Sequence, residues 1–331
     1  MKAMLLESFG DEYAFSEHEI ECPQPGPGQV LIKVSGSSLN PIDNKIATLG
    51  DQLAFAPKLP AIMGMDVSGV VEDIGHSMSR FQPGDKVYGC AGGLGAIPGA
   101  LAEYMVADER FIAHAPKRMN LVDAAALPLV SITAWLALFC RASIKGGQTL
   151  LVHGGAGGVG HMAVQLGVHA GAKVFATVSS DHKAAVVESL GGTPINYREK
   201  TVDEYVLDAT MGQGFDVVFD TVGGATLDAS FQAATIGGQV VSIVNQSTHD
   251  LSLLHAKGLS MHAVFMLLPM LTGDCRGLHG QILSEVTTLV DNDKLAVLLD
   301  EAQFDFTEIG DAHRYWKKGE ALGKVSISMA G

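Results

Sequence analysis

Residues 149–167 read TLLVHGGAGGVGHMAVQLG. A short apolar run, TLLVH, meets glycines at 154, 155, 157, 158 and 160, and a helix-like run follows. Gly155, Gly157 and Gly160 satisfy G-x-G-x-x-G, a pattern with weight only when a strand ends before it and a helix opens behind it. Val159, Ala163, Leu166 and Ala170 recur at helical spacing, which gives that helix a face for a sheet. Each glycine has its own expected task. Gly155 permits a tight turn with positive φ, Gly157 leaves room for a pyrophosphate, and Gly160 lets the helix pack closely. Gly158 and Val159 fall in the first helical turn, whose free N–H groups and dipole favour an anion.

Downstream, strand and helix patterns alternate. Strands are expected at 173–178, 193–196, 216–222, 239–244 and 260–266, and helices at 160–171, 181–191, 204–212 and 227–235. With 149–153 this makes six strands in a βαβ rhythm, the signature of a doubly wound parallel sheet. Upstream, residues 1 to about 120 read as short strands separated by Gly/Pro turns, including VLIKVSG (30–36), VSGVVEDIG (67–75), DKVYGC (85–90) and AEYMVAD (102–108). Such a pattern suggests a barrel-like β domain. GGLGAIPGA (92–100) reads as a flexible loop, and NLVDAAALPLVSITAWLALF as a helix beginning near Asn120. The tail carries a helix (308–319) and a last strand, KVSIS, expected to return to the first domain.

The chain's 331 residues favour two domains. With 36 acidic against 22 basic side chains it carries −14, a poor balance for nucleic acid or an anionic membrane. No apolar run of about 18 residues stands out as a span. The four cysteines are scattered without metal-site or redox spacing, so free thiols in the cytoplasm are expected. None of the 12 histidines forms HxH, HxxxH or HExxH.

The strand after the glycine loop ends TVSSDHK (177–183). An NAD site usually carries a carboxylate at that tip, about 20 residues past the loop, to accept from the ribose 2′-OH. Ser179 and Ser180 stand there instead, with Lys183 close behind and Tyr197 and Arg198 following the next strand. Hydroxyls and a cation suit a 2′-phosphate, so NADPH (NADP+) is the expected coenzyme, although Asp181 leaves NAD open.

The pieces LNPIDNKI (39–46), MGMDVSGVVEDIG (63–75), FQPGDKVYG (81–89), AALPLVSITAW (125–135), HGGAGGVG (153–160), NYRE (196–199), DVVFDTVGG (216–224) and GKVSI (323–327) resemble, in order and spacing, the medium-chain dehydrogenase/reductase superfamily, and within it the zinc-independent quinone oxidoreductase branch. The resemblance implies an α/β chain: a GroES-like β-barrel domain (1–124 and 275–331) and a Rossmann NADP(H)-binding domain (125–274) with a doubly wound, parallel, six-stranded sheet. Zinc relatives of this architecture place ligands at positions corresponding to Asn40, Met65 and Leu129. An amide, a thioether and an alkyl group cannot hold a catalytic zinc, so no metal is expected.

The resemblance further implies NADPH-dependent reduction of a quinone or an α,β-unsaturated carbonyl. Such acceptors delocalise the incoming charge and need no Lewis acid, only placement in a dry site. Asn40 is expected near the nicotinamide ribose or the substrate oxygen. Lys45 stands where some relatives carry tyrosine, as a weaker catalytic candidate. Thr133, Val222, Val244, Phe265, Met266 and Lys324 are expected beside the coenzyme. Met65, Leu129, Phe265, Met266 and the 92–100 loop are expected around a small lipophilic acceptor. Relatives also pair their sixth strand across a two-fold axis, which implies a homodimer through the sheet edge. A non-catalytic NADPH-binding protein and an enoyl-thioester reductase are the alternatives.

Overall fold

The computed structural model describes residues 1–76, 78–319 and 321–329. Two compact units divide the chain, Met1–Leu129 with Leu267–Gly331, and Val130–Met266. The junctions lie five and eight residues from the expected 124/125 and 274/275.

The first unit opens with β1 (Lys2–Ser8), β2 (Ala14–Glu19), β3 (Gln29–Leu39), α1 (Pro41–Leu49), β4 (Ala61–Ile62), β5 (Asp66–Ile74), β6 (Lys86–Cys90), β7 (Tyr104–Asp108), β8 (Ile112–His114) and α2 (Leu121–Ala124). The first junction falls inside α3 (Pro128–Trp135). The second unit holds β9 (Thr149–His153), α4 (Gly158–His169), β10 (Lys173–Val178), α5 (Asp181–Ser189), β11 (Thr193–Asn196), α6 (Val202–Thr210), β12 (Phe215–Asp220), α7 (Ala225–Ala233), β13 (Ala234–Ser242), α8 (Ser252–Ala256) and β14 (Ser260–Ala263). The tail adds α9 (Leu268–Thr272), α10 (Arg276–Asp291), β15 (Leu299–Asp305), α11 (Ile309–Lys317) and β16 (Lys324–Ser328), all within the first unit.

The second unit is a six-stranded parallel sheet in the order β11-β10-β9-β12-β13-β14. Its central strands are apolar because helices cover both faces; Leu150, Leu151 and Val152 of β9 and Val217, Val218 and Phe219 of β12 are fully buried. The strand order reverses at β9/β12, the place where sheets of this winding take a ligand outside their C-terminal ends. In the first unit, a seven-stranded sheet runs β15-β16-β3-β5-β6-β8, with β7 also on β3, beside a three-stranded sheet β2-β1-β4.

Three expectations about elements need correction. The helix expected from Asn120 is interrupted. Asn120 caps α2 by accepting from the Asp123 N–H, and α3 begins afresh at Pro128, a residue suited to a first turn. The stretch Leu121–Arg141 is long and apolar enough to cross a membrane by length and composition, contrary to the absence read from the sequence, yet 72% of its most apolar window is buried inside the protein, as in a core helix. The 92–100 segment is not a loose loop. Ala100 and Leu101 donate to the carbonyls of Gly64 and Met63, and a Cβ at Gly99 would lie 2.1 Å from the Met63 oxygen. The 16-residue helix α10 has no counterpart among the expected elements.

Candidate active site

The glycine loop of the second unit is built from the end of β9. The N–H groups of Gly154 and Gly155 donate to Thr177, to Oγ1 and to the carbonyl, both at 3.0 Å, which fastens the turn to β10. The positive φ belongs to Gly154 (+76°), not to Gly155 as expected. Gly155 is required for a different reason: a Cβ there would sit 2.4 Å from the Ala176 Cβ. At Gly160 a Cβ would meet the Gly154 oxygen at 2.0 Å, so this glycine seats the helix against the turn rather than against the strand. A Cβ at Gly157 would meet only the Gly154 oxygen, at 3.2 Å, so the space beside the start of α4 is open. Gly157 is the N-cap, and Gly158, Val159 and Gly160 are the first helical residues, whose N–H groups have no acceptor one turn back. The loop therefore fits a pyrophosphate.

The tip of β10 lies next to this turn, since Ala176 pairs with Val152. Ser179 is partly buried. Ser180 is the N-cap of α5, its Oγ accepting from the Lys183 N–H at 3.4 Å. Lys183 is partly buried in the first turn. Tyr197, 54% exposed, is brought to the same tip because its N–H donates to the Val178 carbonyl at 3.2 Å. Arg198 is exposed beside it. Ser179, Ser180 and Tyr197 thus lie at the β10 tip, with Asp181 and Lys183 in the first turn of α5 and Arg198 next along the chain.

At the ends of β12 and β13, Val222 is half exposed and Val244 partly buried, and the Gly223 backbone presses on Val244. Asp220, which the sequence reading missed, sets this turn by accepting from the N–H groups of Val222 and Gly223 at 2.9 Å. Burial raises its carboxyl above the ordinary range. Its signal was a lone acid closing the apolar run DVVFD. Phe265 is 44% exposed and Met266 buried, both past the end of β14; Thr133 is buried on α3.

A buried polar centre occupies the first unit where β3, β5, β16 and α3 converge. Asp66 is fully buried. Its Oδ2 accepts from Ser38 Oγ and Asn40 Nδ2, each at 2.8 Å, and its Oδ1 accepts from the Leu129 N–H at 2.9 Å. Lys324 Nζ lies 3.4 Å from the same Asp66 Oδ2 and donates to the Leu39 carbonyl at 3.0 Å and to Asn40 Oδ1. Two expectations change here. Lys324 does not extend its ammonium toward a ligand; it is 2% exposed and neutralises Asp66. Asn40 has both ends of its amide engaged internally and is 0% exposed. Met65 is likewise 0% exposed, and Leu129 is buried. Lys45 stands exposed on α1.

Asp43, on the first turn of α1, accepts from the Asn40 N–H at 3.0 Å through Oδ2, and its buried Oδ1 has no partner. Burial, then the neighbouring Asp66 charge, push its pKa up to about 7, against the pull of Lys324. The native state therefore holds this proton between its ordinary 3.8 and about 7, and the associated stability is present below 3.8 and lost as pH rises through 7. Burial acts oppositely on His153 and His313, lowered to about 4 and about 3, whose contribution is lost as pH falls below 6.5. Asp43→Asn removes only the first effect. Urea midpoints of the variant should gain on the wild type between pH 5 and pH 8; a constant difference across that range would contradict a neutral Asp43.

The donors at the three positions corresponding to zinc ligands are thus an engaged amide, a buried thioether and an alkyl group. Among the described residues no group of three His, Cys, Asp or Glu could hold a metal ion. The fixed positive charge at this centre is the Lys324 ammonium.

A glycine cradle on a doubly wound sheet, joined in one chain to a mainly antiparallel β unit with a buried Asp66–Lys324 centre, fits a dinucleotide-dependent oxidoreductase. Models of known families agree. One described as "Zinc-binding dehydrogenase" matches residues 158–278, and one described as "Alcohol dehydrogenase GroES-like domain" matches 26–117. The chain is 32% identical, over 99% of its length and 79% of the relative's, to a 2-methylene-furan-3-one reductase of Solanum lycopersicum. It is 30% identical, with the same coverage, to an NADPH-dependent alkenal/one oxidoreductase of Arabidopsis thaliana. It is also 30% identical to a quinone oxidoreductase of Pongo abelii, over 76% of this chain and 75% of that one. An alcohol dehydrogenase superfamily protein from Novosphingobium aromaticivorans superposes with a TM-score of 0.95 at 39% identity, each chain fully covered. The chain belongs to the medium-chain dehydrogenase/reductase superfamily, on its zinc-independent, quinone oxidoreductase-like branch.

Proposed function

We propose that this protein reduces quinones or α,β-unsaturated carbonyls with NADPH and without a metal. The observation that carries the reading is the donor set at Asn40, Met65 and Leu129, which leaves no Lewis acid to steady an alkoxide and so favours acceptors that spread charge themselves. When bound, NADPH supplies a hydride from its nicotinamide C4. The loop at 154–160 would hold the pyrophosphate on the first-turn N–H groups of α4. Ser179, Ser180, Lys183, Tyr197 and Arg198 would take the 2′-phosphate. Val222, Val244 and Phe265, each with accessible surface, are the candidates to line the nicotinamide and acceptor. Met65 packs inside the first unit, and Asn40 is a link in its Asp66–Lys324 centre.

The chemistry of the relatives supports a lipophilic, conjugated acceptor. The test is steady-state oxidation of NADPH and NADH with 1,4-benzoquinone, 9,10-phenanthrenequinone and simple enones. Turnover with at least one acceptor and a preference for NADPH are expected; no turnover with any would leave a coenzyme-binding protein without this activity.

A second copy is the proposed partner. β14 is an edge strand, paired only with β13, and it carries Met261 38% exposed with Phe265 just beyond. Continuation of the sheet across that edge would pair its outward backbone groups. Sedimentation at micromolar concentration should give a dimer; a monomer would contradict the pairing. The four free cysteines, two of them exposed, suit the reducing cytoplasm proposed for this chain.

A further inference from the structure

The loop between β13 and α8 carries two side chains, and α7 a third, that hydride transfer does not use. Ser247 Oγ lies 2.5 Å from His249 Nε2, and His249 Nδ1 lies 2.9 Å from Asp228 Oδ1 on α7. The hydroxyl sits on one imidazole nitrogen and the carboxylate on the other. This is the connectivity in which a carboxylate fixes the Nδ1–H tautomer and leaves the Nε2 lone pair for the hydroxyl proton. The imidazole is largely shielded, its side chain 9% exposed, while Asp228 is 54% exposed and Ser247 exposed.

Ser247 and His249 line a cavity of about 230 Å³ whose other walls include Leu227, Phe231, Leu251 and Met261. A nucleophile–base pair therefore opens onto an apolar recess. The N–H of Thr248, the residue after the serine, makes no hydrogen bond among the described residues and is available to a developing oxyanion. Asn245, on the same wall, has a buried amide oxygen with no partner, so its side chain is not fully committed to the loop.

The geometry points to a second, coenzyme-independent activity at this loop: hydrolysis of esters with a short apolar acyl group by Ser247, His249 and Asp228. Ser247 Oγ attacks the ester carbonyl carbon as its proton passes to His249 Nε2. The bond from carbon to the alkoxy oxygen breaks, and that proton leaves with the alcohol. Water then attacks the acyl-serine while His249 takes a proton from it; the Oγ–carbon bond breaks, Oγ recovers its proton, and the carboxylic acid departs. The sum is ester plus water giving acid plus alcohol, with no redox change. The small recess sets the acyl length, and the exposed Asp228 steadies the imidazolium less than a buried carboxylate would, so turnover is slow.

The test uses the full chain without NADPH, p-nitrophenyl butyrate as substrate and a fluorophosphonate as covalent probe. One equivalent of probe should attach, and peptide mapping should place it on Ser247. Ser247→Ala should abolish labelling and lower butyrate hydrolysis by at least about a hundredfold, as loss of a nucleophile does. His249→Gln should lower hydrolysis comparably. Retained NADPH binding in Ser247→Ala shows that the variant is folded. Absence of labelling, labelling at another residue, or hydrolysis unchanged in Ser247→Ala would each overturn the assignment.

Discussion

Asp66→Ala is expected to destabilise the first unit by roughly 3–5 kcal/mol, the cost of leaving a buried charge without its partner. Asp66 ties five segments together: β3 through Ser38, the start of α1 through Asn40, α3 through the Leu129 N–H, and β16 through Lys324, around its own place at the start of β5. Without the carboxylate, the Lys324 ammonium keeps only the Leu39 carbonyl and the Asn40 amide oxygen. Burial already lowers the pKa of Lys324, and the Asp66 charge is the main influence opposing that. Lys324→Met should cost a similar amount, for the converse reason. The double variant should cost less than the two single losses combined, because neither charge remains stranded. Denaturant midpoints of the four proteins measure this. A loss below about 1 kcal/mol for Asp66→Ala, in the range of an exposed ion pair, would contradict the central role given to this carboxylate.

The second large effect concerns coenzyme choice. Lys183→Ala should weaken NADPH binding about ten- to a hundredfold while changing NADH by less than about twofold, since a hydrogen bond to a charged group is worth roughly 1.5–3 kcal/mol. The backbone N–H of Lys183 bonds to Ser180, and alanine keeps that cap and the helix. Only the ammonium is removed from the tip formed with Ser179 and Tyr197. Fluorescence titration with each coenzyme reads the outcome. Equal weakening of both would withdraw the 2′-phosphate assignment.

The sheet of the second unit was legible in the sequence because its central strands carry short apolar cores, LLV in β9 and VVF in β12, between turn residues and caps. TLLVH, KVFATV and TPIN are found with the boundaries expected. The helix α10 was not legible for physical reasons. Its sequence RGLHGQILSEVTTLVD has two glycines in its first half, β-branched residues in its second, and Cys275 in a left-handed conformation at its start, where no side chain caps it. Tertiary contacts compensate: Tyr88 donates to the Leu283 carbonyl, and Thr287 Oγ1 to the His114 carbonyl. Local rules do not see such partners.

At the candidate site, residue types were legible and their partners were not. The glycine motif located the cradle, but a one-residue shift in the positive φ, from Gly155 to Gly154, depends on the attachment to Thr177. Asn40 and Lys324 were singled out by motifs shared with the family. That Asn40 donates to Asp66 and Lys324 balances its charge follows from segments 26 and 258 residues away in sequence meeting at one carboxylate.

Metal-free hydride transfer is tested most directly by the fate of deuterium. Protein dialysed against a chelator is given an enone and NADPH deuterated at the nicotinamide C4, on each face in turn. One of the two labels should appear at the β-carbon of the saturated product, at a rate that added zinc does not raise. Reduction that begins only when zinc is restored, or a product free of deuterium with both labels, would contradict it.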